Sequence, residues 1–149
     1  MKKPAKTPES GLRKKRIISP KVREPEAGLW SNCFVIGDQF VLSGMVARDI
    51  KGGLVGGNDP LKQSIATLKN MKSLVEAAGA DMTDVLKITV YLTDIRFRPA
   101  FIEARRQFFS GDFPCAVLIG NVTLASAELL VEVDAWGIIG AGGKRRKRG

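Results

Sequence analysis

The sequence predicts an α+β fold in which one mixed sheet of six strands carries two helices on the same face. Two observations lead to this fold class. Short apolar runs typical of strands recur along the 149 residues, and they outnumber the two segments whose apolar residues repeat at helical spacing. Both helical segments lie between strands, so each can return the chain to the same sheet. The predicted order is β-β-β-α-β-α-β-β, with a weak first strand.

Three strands are predicted before the first helix. A short edge strand at residues 17–18 comes first and is followed by a proline. Residues 29–36 and 39–43 are strand-like, and the two residues between them, Gly37 and Asp38, are a signal for a tight hairpin. The N-terminal part of the sheet is therefore expected to be antiparallel.

The two helices have clear start and stop signals. Asp59 followed by Pro60 is typical of a helix N-terminus, and Gly79 is typical of the residue that closes a helix. The second helix is predicted over residues 99–109, with its aromatic residues turned inward. Gly111 lies just beyond it and breaks the helical pattern.

Three further strands complete the sheet. Val85–Leu92 alternates apolar and polar residues, which indicates a strand with one apolar face. Cys115–Ile119 is a continuous apolar run that follows a proline, and residues 129–139 form the last predicted strand.

Positive charge is concentrated at the two ends of the chain. Residues 1–23 hold nine lysine and arginine residues against one acid, and residues 144–148 add five more cations, so the middle is mildly acidic. We therefore predict a disordered basic arm over 1–23, a folded domain over 24–140 and a disordered basic tail over 141–149. The tail is either a solubilising end or a patch for nucleic acid or another polyanion.

Composition excludes several classes of protein. The chain has no histidine, the commonest metal ligand and general base, and neither a metal nor a cofactor is expected. Its two cysteines, Cys33 and Cys115, form no disulfide framework and are predicted to be small buried thiols in a cytoplasmic protein. No apolar run approaches the roughly 18 residues that a membrane helix needs.

Short motifs follow one another in a fixed order between residues 24 and 137, and their order and spacing are more specific than any one of them. They comprise Gly28 to Cys33, Ser43 with Gly44, Gln63 and Asn70 on the first helix, residues 84–87 and 91–94, residues 108–114, and residues 130–135. In this arrangement the chain resembles the RidA (YjgF-type) reactive-intermediate deaminases, also called the L-PSP endoribonuclease family.

The resemblance implies a fold, an assembly and an activity. The family fold is chorismate-mutase-like, and it forms a homotrimer whose sheets make an inner barrel with clefts between subunits. Active members hydrolyse imines and enamines without a cofactor. The partners it implies are a small-molecule substrate or ligand and two further copies of the chain, with no membrane.

The resemblance also implies the site residues. Glu132 would be the catalytic carboxylate that positions water, and the cleft would join residues of two subunits. One subunit would contribute Trp30, Ser43 and Gly44, and another would contribute Cys115, Ala116, Leu118 and Glu132. The residues themselves leave two questions open. Trp30 is either a packing residue or a ligand platform, and Glu132 is either a surface carboxylate or the catalytic group.

Ala116 departs from the family pattern, since active members carry at this position an arginine that holds the substrate carboxylate. Alanine cannot form a bidentate charged pair. An arginine from elsewhere can replace it, and no spacing argument selects one of the candidates. These candidates are Arg48, Arg96, Arg98, Arg105 and Arg106.

The sequence therefore predicts a hydrolytic deaminase of enamine or imine small molecules, with poor activity on 2-iminopropionate-like acids. The first alternative is a non-catalytic, ligand-binding or regulatory trimer that kept the fold. The second is an RNA-associated protein or ribonuclease that uses the basic arms.

Overall fold

The computed structural model describes residues 12–143 and contains one six-stranded mixed sheet with two helices. The strands are β1 (Lys15–Arg16), β2 (Cys33–Ile36), β3 (Gln39–Val46), β4 (Val85–Leu92), β5 (Cys115–Ile119) and β6 (Val131–Ile138); the helices are α1 (Pro60–Ala77) and α2 (Arg98–Arg105). The strand order is β1-β2-β3-β6-β4-β5. Only the β4–β5 pair is parallel among these described strands. The predicted α+β fold class is confirmed.

The two faces of the sheet differ in burial. Along β6, Val131, Val133 and Ala135 are buried under the helices, whereas Glu132 and Asp134 on the other face are half-buried. Helix α1 covers the first face and buries a row of apolar side chains at helical spacing. These are Leu68, Met71, Leu74 and Val75. We call the face that carries Glu132 the outer face.

Helix α1 has the predicted ends. The Asp59 side chain accepts hydrogen bonds from the backbone N–H groups of Leu61 and Lys62, which have no partner within the helix. At the other end Gly79 has φ +91°, and the left-handed turn lets Gly79 and Ala80 donate back to the last turn.

Strand β3 runs three residues further than predicted, because it contains a bulge. Leu42 is opposite Ala135 and Met45 is opposite Val133, so β3 has one more residue than β6 between these pairs. The extra residue turns both Leu42 and Met45 toward the core. Ser43 and Gly44 lie at the bulge.

Other boundaries also differ from the predictions. Strand β1 precedes the expected residues 17–18, because Lys15–Arg16 pairs with β2. Strand β2 begins at Cys33 rather than at residue 29, since Leu29 closes a turn by donating to the Glu26 carbonyl. Helix α2 ends at Arg105, four residues early, and the following residues make a tighter turn that buries Phe109.

The structure also corrects the basic arm predicted over residues 1–23. Residues 12–23 pack on the sheet, since β1 lies here and Ile17 and Val22 are buried. The rest of the arm, residues 1–11, and most of the predicted tail, residues 144–149, lie outside the described residues. Among residues 12–143, no helix combines the length and the apolar character needed to cross a membrane.

Candidate functional site

A cavity of about 410 Å³ opens beside the bulge of β3. Two of the predicted site residues, Trp30 and Gly44, lie in its wall. The remaining wall includes arginine, glutamate, asparagine and serine side chains, so a ligand would meet both an aromatic surface and polar groups. Its further lining residues include Arg23, Glu24, Glu26, Arg48, Asn70, Ser126 and Leu129.

Glu132 lies directly behind this wall. A β-carbon placed on Gly44 would overlap Oε1 of Glu132, so the missing side chain of Gly44 leaves the space that the carboxylate occupies. The contact follows from the sheet, because β6 pairs with β3 and Glu132 is opposite Val46. Glu132 therefore lies beside Gly44 of its own chain, whereas the resemblance places Gly44 on one subunit of the cleft and Glu132, with Cys115, on another. The cleft between subunits stays a prediction.

The surroundings of Glu132 favour its protonated form. Burial first, and the negative charge of Asp134 second, raise the pKa of the Glu132 carboxyl. The Tyr91 hydroxyl donates to Asp134 Oδ2 at 3.2 Å. Among the described residues, no side chain donates a hydrogen bond to Glu132. Its oxygens therefore remain available to a water molecule or a substrate.

Trp30 is held as an exposed aromatic surface. The indole Nε1 donates to Asn32 Oδ1 at 3.2 Å, and the Asn32 amide donates in turn to Glu24 Oε1 at 3.2 Å. Glu24 is paired with Arg16 at 2.7 Å. Because 55% of Trp30 remains exposed, it is not a core residue of the single chain. Its position in the cavity wall favours the ligand-platform interpretation.

Two polar residues of α1 fix the loops around the cavity. Asn70 donates to the carbonyls of Val46 and Arg48, each at 2.9 Å, and holds the end of β3. Gln63, which is fully buried, donates to the Glu128 carbonyl at 2.8 Å and accepts from the Leu130 N–H at 2.9 Å. These contacts explain physically why Gln63 and Asn70 belong to the motif set.

The other predicted site residues lie on β5, at the far edge of the sheet. Three strand spacings, or about 14 Å, separate β5 from β3. Ala116 and Leu118 are opposite Ile88 and Val90 and share their helix-covered face. Within one chain a small substrate cannot reach these residues and Trp30 together. Their membership of the same site stays a prediction that requires a second copy.

The two cysteines behave differently. Cys33 is buried, as predicted, and burial raises the pKa of its thiol to about 11. Cys115 is exposed, so the prediction of a buried thiol is wrong here. The reason is its place on an edge strand that has a neighbour on one side only.

One feature of the cavity was missed from the sequence. Arg48 Nη2 donates to Ser126 Oγ at 3.1 Å and forms an ion pair of 2.5 Å with Glu128. These partners lie about 80 residues apart in the chain, so no local pattern could have paired them. Of the five candidate arginines, Arg48 alone lines the cavity of the described residues.

Comparison with known proteins identifies the family of this chain. The family described as Endoribonuclease L-PSP matches residues 22–139. A 2-iminobutanoate/2-iminopropanoate deaminase of Dermatophagoides farinae is 28% identical over 110 residues, which cover 74% of this chain and 86% of the relative. A RutC family protein of Saccharolobus solfataricus is 32% identical over 120 residues, covering 80% of this chain and 94% of that protein.

The solved structures show the same fold. RidA from an Antarctic Psychrobacter bacterium superposes with a TM-score of 0.76 at 25% identity, covering 84% of this chain and 99% of RidA. The residues that match the family model, 22–139, include strands β2 to β6, the bulge and both helices. This chain is therefore a member of the endoribonuclease L-PSP family, to which its RidA-type motifs pointed.

Proposed function

We propose that this protein is a hydrolytic deaminase of small imines and enamines. The observation that carries the proposal is the Glu132 carboxylate, which lies against Gly44, behind the wall of a cavity that Trp30 also lines. The deaminase name of the Dermatophagoides farinae relative supports the same class of reaction.

The reaction adds one water molecule to a carbon–nitrogen double bond. The water oxygen bonds to the carbon, the nitrogen leaves as ammonia, and a carbonyl remains; an enamine is first protonated on carbon to give the imine. Glu132 accepts a proton from the attacking water and gives it to the imine nitrogen. It then takes the hydroxyl proton of the resulting aminoalcohol and gives it to the departing nitrogen, which leaves as ammonia. A carboxyl group with a raised pKa can serve in both steps near neutral pH.

We infer that a homotrimer in the cytoplasm completes the site. The cavity wall with Trp30 and Gly44, and Glu132 behind it, includes no residue of β5, whose Cys115, Ala116 and Leu118 lie across the sheet. A neighbouring copy can supply these residues to the open side of the cavity. The small substrate would then bind between subunits.

Ala116 supports one alternative, a trimer that binds a small ligand without hydrolysing it. With a methyl group in place of a guanidinium, a substrate carboxylate loses its strongest partner on that wall. The alternative keeps the cavity and Trp30 but requires no proton transfer by Glu132.

An ammonia-release assay separates the two functions. We expect the wild type to accelerate hydrolysis of 2-iminobutanoate and of a neutral imine above the uncatalysed rate. Glu132→Gln should lower kcat at least about 100-fold, because the general acid–base group is lost and the chain has no histidine to replace it. Equal rates with and without the wild-type protein would establish the non-catalytic alternative.

A further inference from the structure

The guanidinium of Arg48 is fixed at the cavity while most of its donors are unused. Its Nη2 donates to Ser126 Oγ and to Glu128 Oε1. A guanidinium has five N–H donors, and the described residues supply no acceptor for the donors on Nε and Nη1. The Arg48 side chain is 22% exposed, so these donors are partly shielded from water.

We propose that Arg48 is the carboxylate-binding group of the cavity. In the absence of a ligand, the Glu128 carboxylate pairs with this guanidinium and so competes with a ligand for it. The inference rests on the proposed deaminase function and deepens it. It places the anionic group of a ligand on the cavity wall that also carries Trp30.

Arg48 differs from the other arginines in its position. None of the other four candidates lines the cavity: Arg96, Arg98, Arg105 and Arg106. Arg23 does line it, but Arg23 is an exposed residue whose guanidinium lies against Gly52. Arg48 is thus the partly buried arginine of the cavity wall, and its guanidinium is placed to donate hydrogen bonds to an anion bound in the cavity.

Glu128 can be displaced at little cost. Its side chain is 42% exposed, and an ion pair with a partner of this exposure adds little to stability because water solvates the free carboxylate well. The hydrogen bond from Arg48 lowers the pKa of Glu128, so the competitor is ionised at neutral pH. A ligand carboxylate would present the same two oxygens to the same guanidinium.

The exchange needs no movement of the backbone. Asn70 holds the carbonyl of Arg48, and Gln63 holds the carbonyl of Glu128, so both chain segments are anchored to α1. Only the Glu128 side chain has to turn toward solvent when a ligand binds. Preorganised groups of this kind bind a ligand with little loss of conformational entropy.

The experiment measures binding of 2-oxobutanoate, a stable keto acid with the same carboxylate, to the full chain by calorimetry. We expect Glu128→Gln to tighten binding about three- to fivefold, because it removes the competing charge. Arg48→Met should weaken binding about tenfold or more, and Arg48→Lys should restore part of it. Arg106→Met removes an equally charged residue outside the cavity and should leave the Kd unchanged.

Opposite results overturn the inference. If Glu128→Gln and Glu128→Ala both bind 2-oxobutanoate no more tightly than the wild type does, Glu128 supports the loop and does not compete with the ligand. Unchanged binding by Arg48→Met, or no binding by any variant, would exclude Arg48 as the anion site. A failure of the proposed deaminase function alone gives another result. The variants would then bind 2-oxobutanoate with the predicted relative affinities, but the wild type would hydrolyse no imine.

Discussion

Ala116 lies exposed on β5 with its methyl group on the helix-covered face of the sheet. We expect Ala116→Arg to raise kcat/KM for 2-iminopropanoate, because the proposed trimer would bring a guanidinium at this position to the cavity of a neighbouring copy. A charged hydrogen-bonded pair in a partly dry cleft contributes about 2 kcal/mol, which corresponds to roughly 30-fold in rate.

Ala116→Met is the matched control, since it adds a side chain of comparable length without charge. Steady-state kinetics with both variants separate charge from bulk. If Ala116→Arg folds and assembles but its kcat/KM equals that of Ala116→Met, the missing arginine does not limit activity.

The proposed catalytic carboxyl of Glu132 should also make the stability of the fold depend on pH. Its raised pKa means that the folded protein holds this proton more tightly than the unfolded chain does. The protonated Glu132 therefore contributes fully to the stability of the fold below the pKa that this carboxyl has in the unfolded chain. This contribution is lost as the pH rises through the higher pKa that it has in the folded protein. Glu132→Gln cannot ionise and should therefore have a higher Tm than the wild type at pH 7, but not at pH 4.

Thermal unfolding at the two pH values tests this expectation. Glu103→Gln, an exposed change on α2, is the control and should show no such difference. A lower Tm for Glu132→Gln at pH 7 would show that the ionised carboxylate is stabilised by contacts rather than penalised by burial.

The sequence could predict which residues belong to the candidate site where their place depends on a local motif. Trp30 and Gly44 were placed in the site from the sequence, and the cavity contains both. The contact between Arg48 and Glu128 was not predictable, because it depends on two loops that meet only when α1 holds both. Long-range pairing of this kind has no periodic signal in a single sequence.

Among the elements, the bulge of β3 has the most direct effect on the site. Gly44→Ala would place a β-carbon where Glu132 Oε1 lies, and a glutamate can respond by rotating away. We expect a nearly unchanged Tm but a loss of about 100-fold in kcat, since the carboxylate leaves its position.

Gly53→Ala provides a matched control for this change. A β-carbon there would lie 2.8 Å from Asp49 Oδ2, so it displaces another carboxylate, outside the cavity wall. Imine hydrolysis and thermal unfolding should be measured on both variants. Full activity in Gly44→Ala would contradict the role assigned to the Gly44–Glu132 contact.

Elements with regular patterns and clear stop signals were predicted well. The bounds of β4 and β5 agree with the sequence prediction residue for residue. Strand β3 was cut short at Ser43 because the bulge reverses the alternation, so Met45 points inward where a regular strand would turn it outward. Helix α2 was predicted too long because Phe108 and Phe109 are apolar in either a helix or a turn.

For the whole molecule, the outer face of the sheet is the feature that a single chain leaves uncovered. Val41, Trp136 and Ile138 on neighbouring strands β3 and β6 are each about 40% exposed or more. A contiguous apolar surface of this kind marks a protein interface. We expect sedimentation to give three times the chain mass of 16.2 kDa.

Trp136→Asp tests this assembly, because it places a charge in the proposed interface. We expect the variant to sediment as a monomer and to lose imine hydrolysis, since Ala116 and Trp30 would no longer meet. Ala77→Asp, at an exposed position of helix α1, which covers the opposite face of the sheet, should remain trimeric. A wild-type monomer at micromolar concentration would contradict both the trimer and the shared site.

The central position of β6 has a consequence for how this protein is made. Strand β6 lies between β3 and β4, which do not pair with each other, so the nascent chain lacks the middle of this sheet until β6 has been synthesised. The N-terminal strands must wait, unpaired on one edge, until about residue 138 has been released. Since Glu132 arrives on the same strand, a nascent chain gains its candidate catalytic carboxylate in the step that completes its fold.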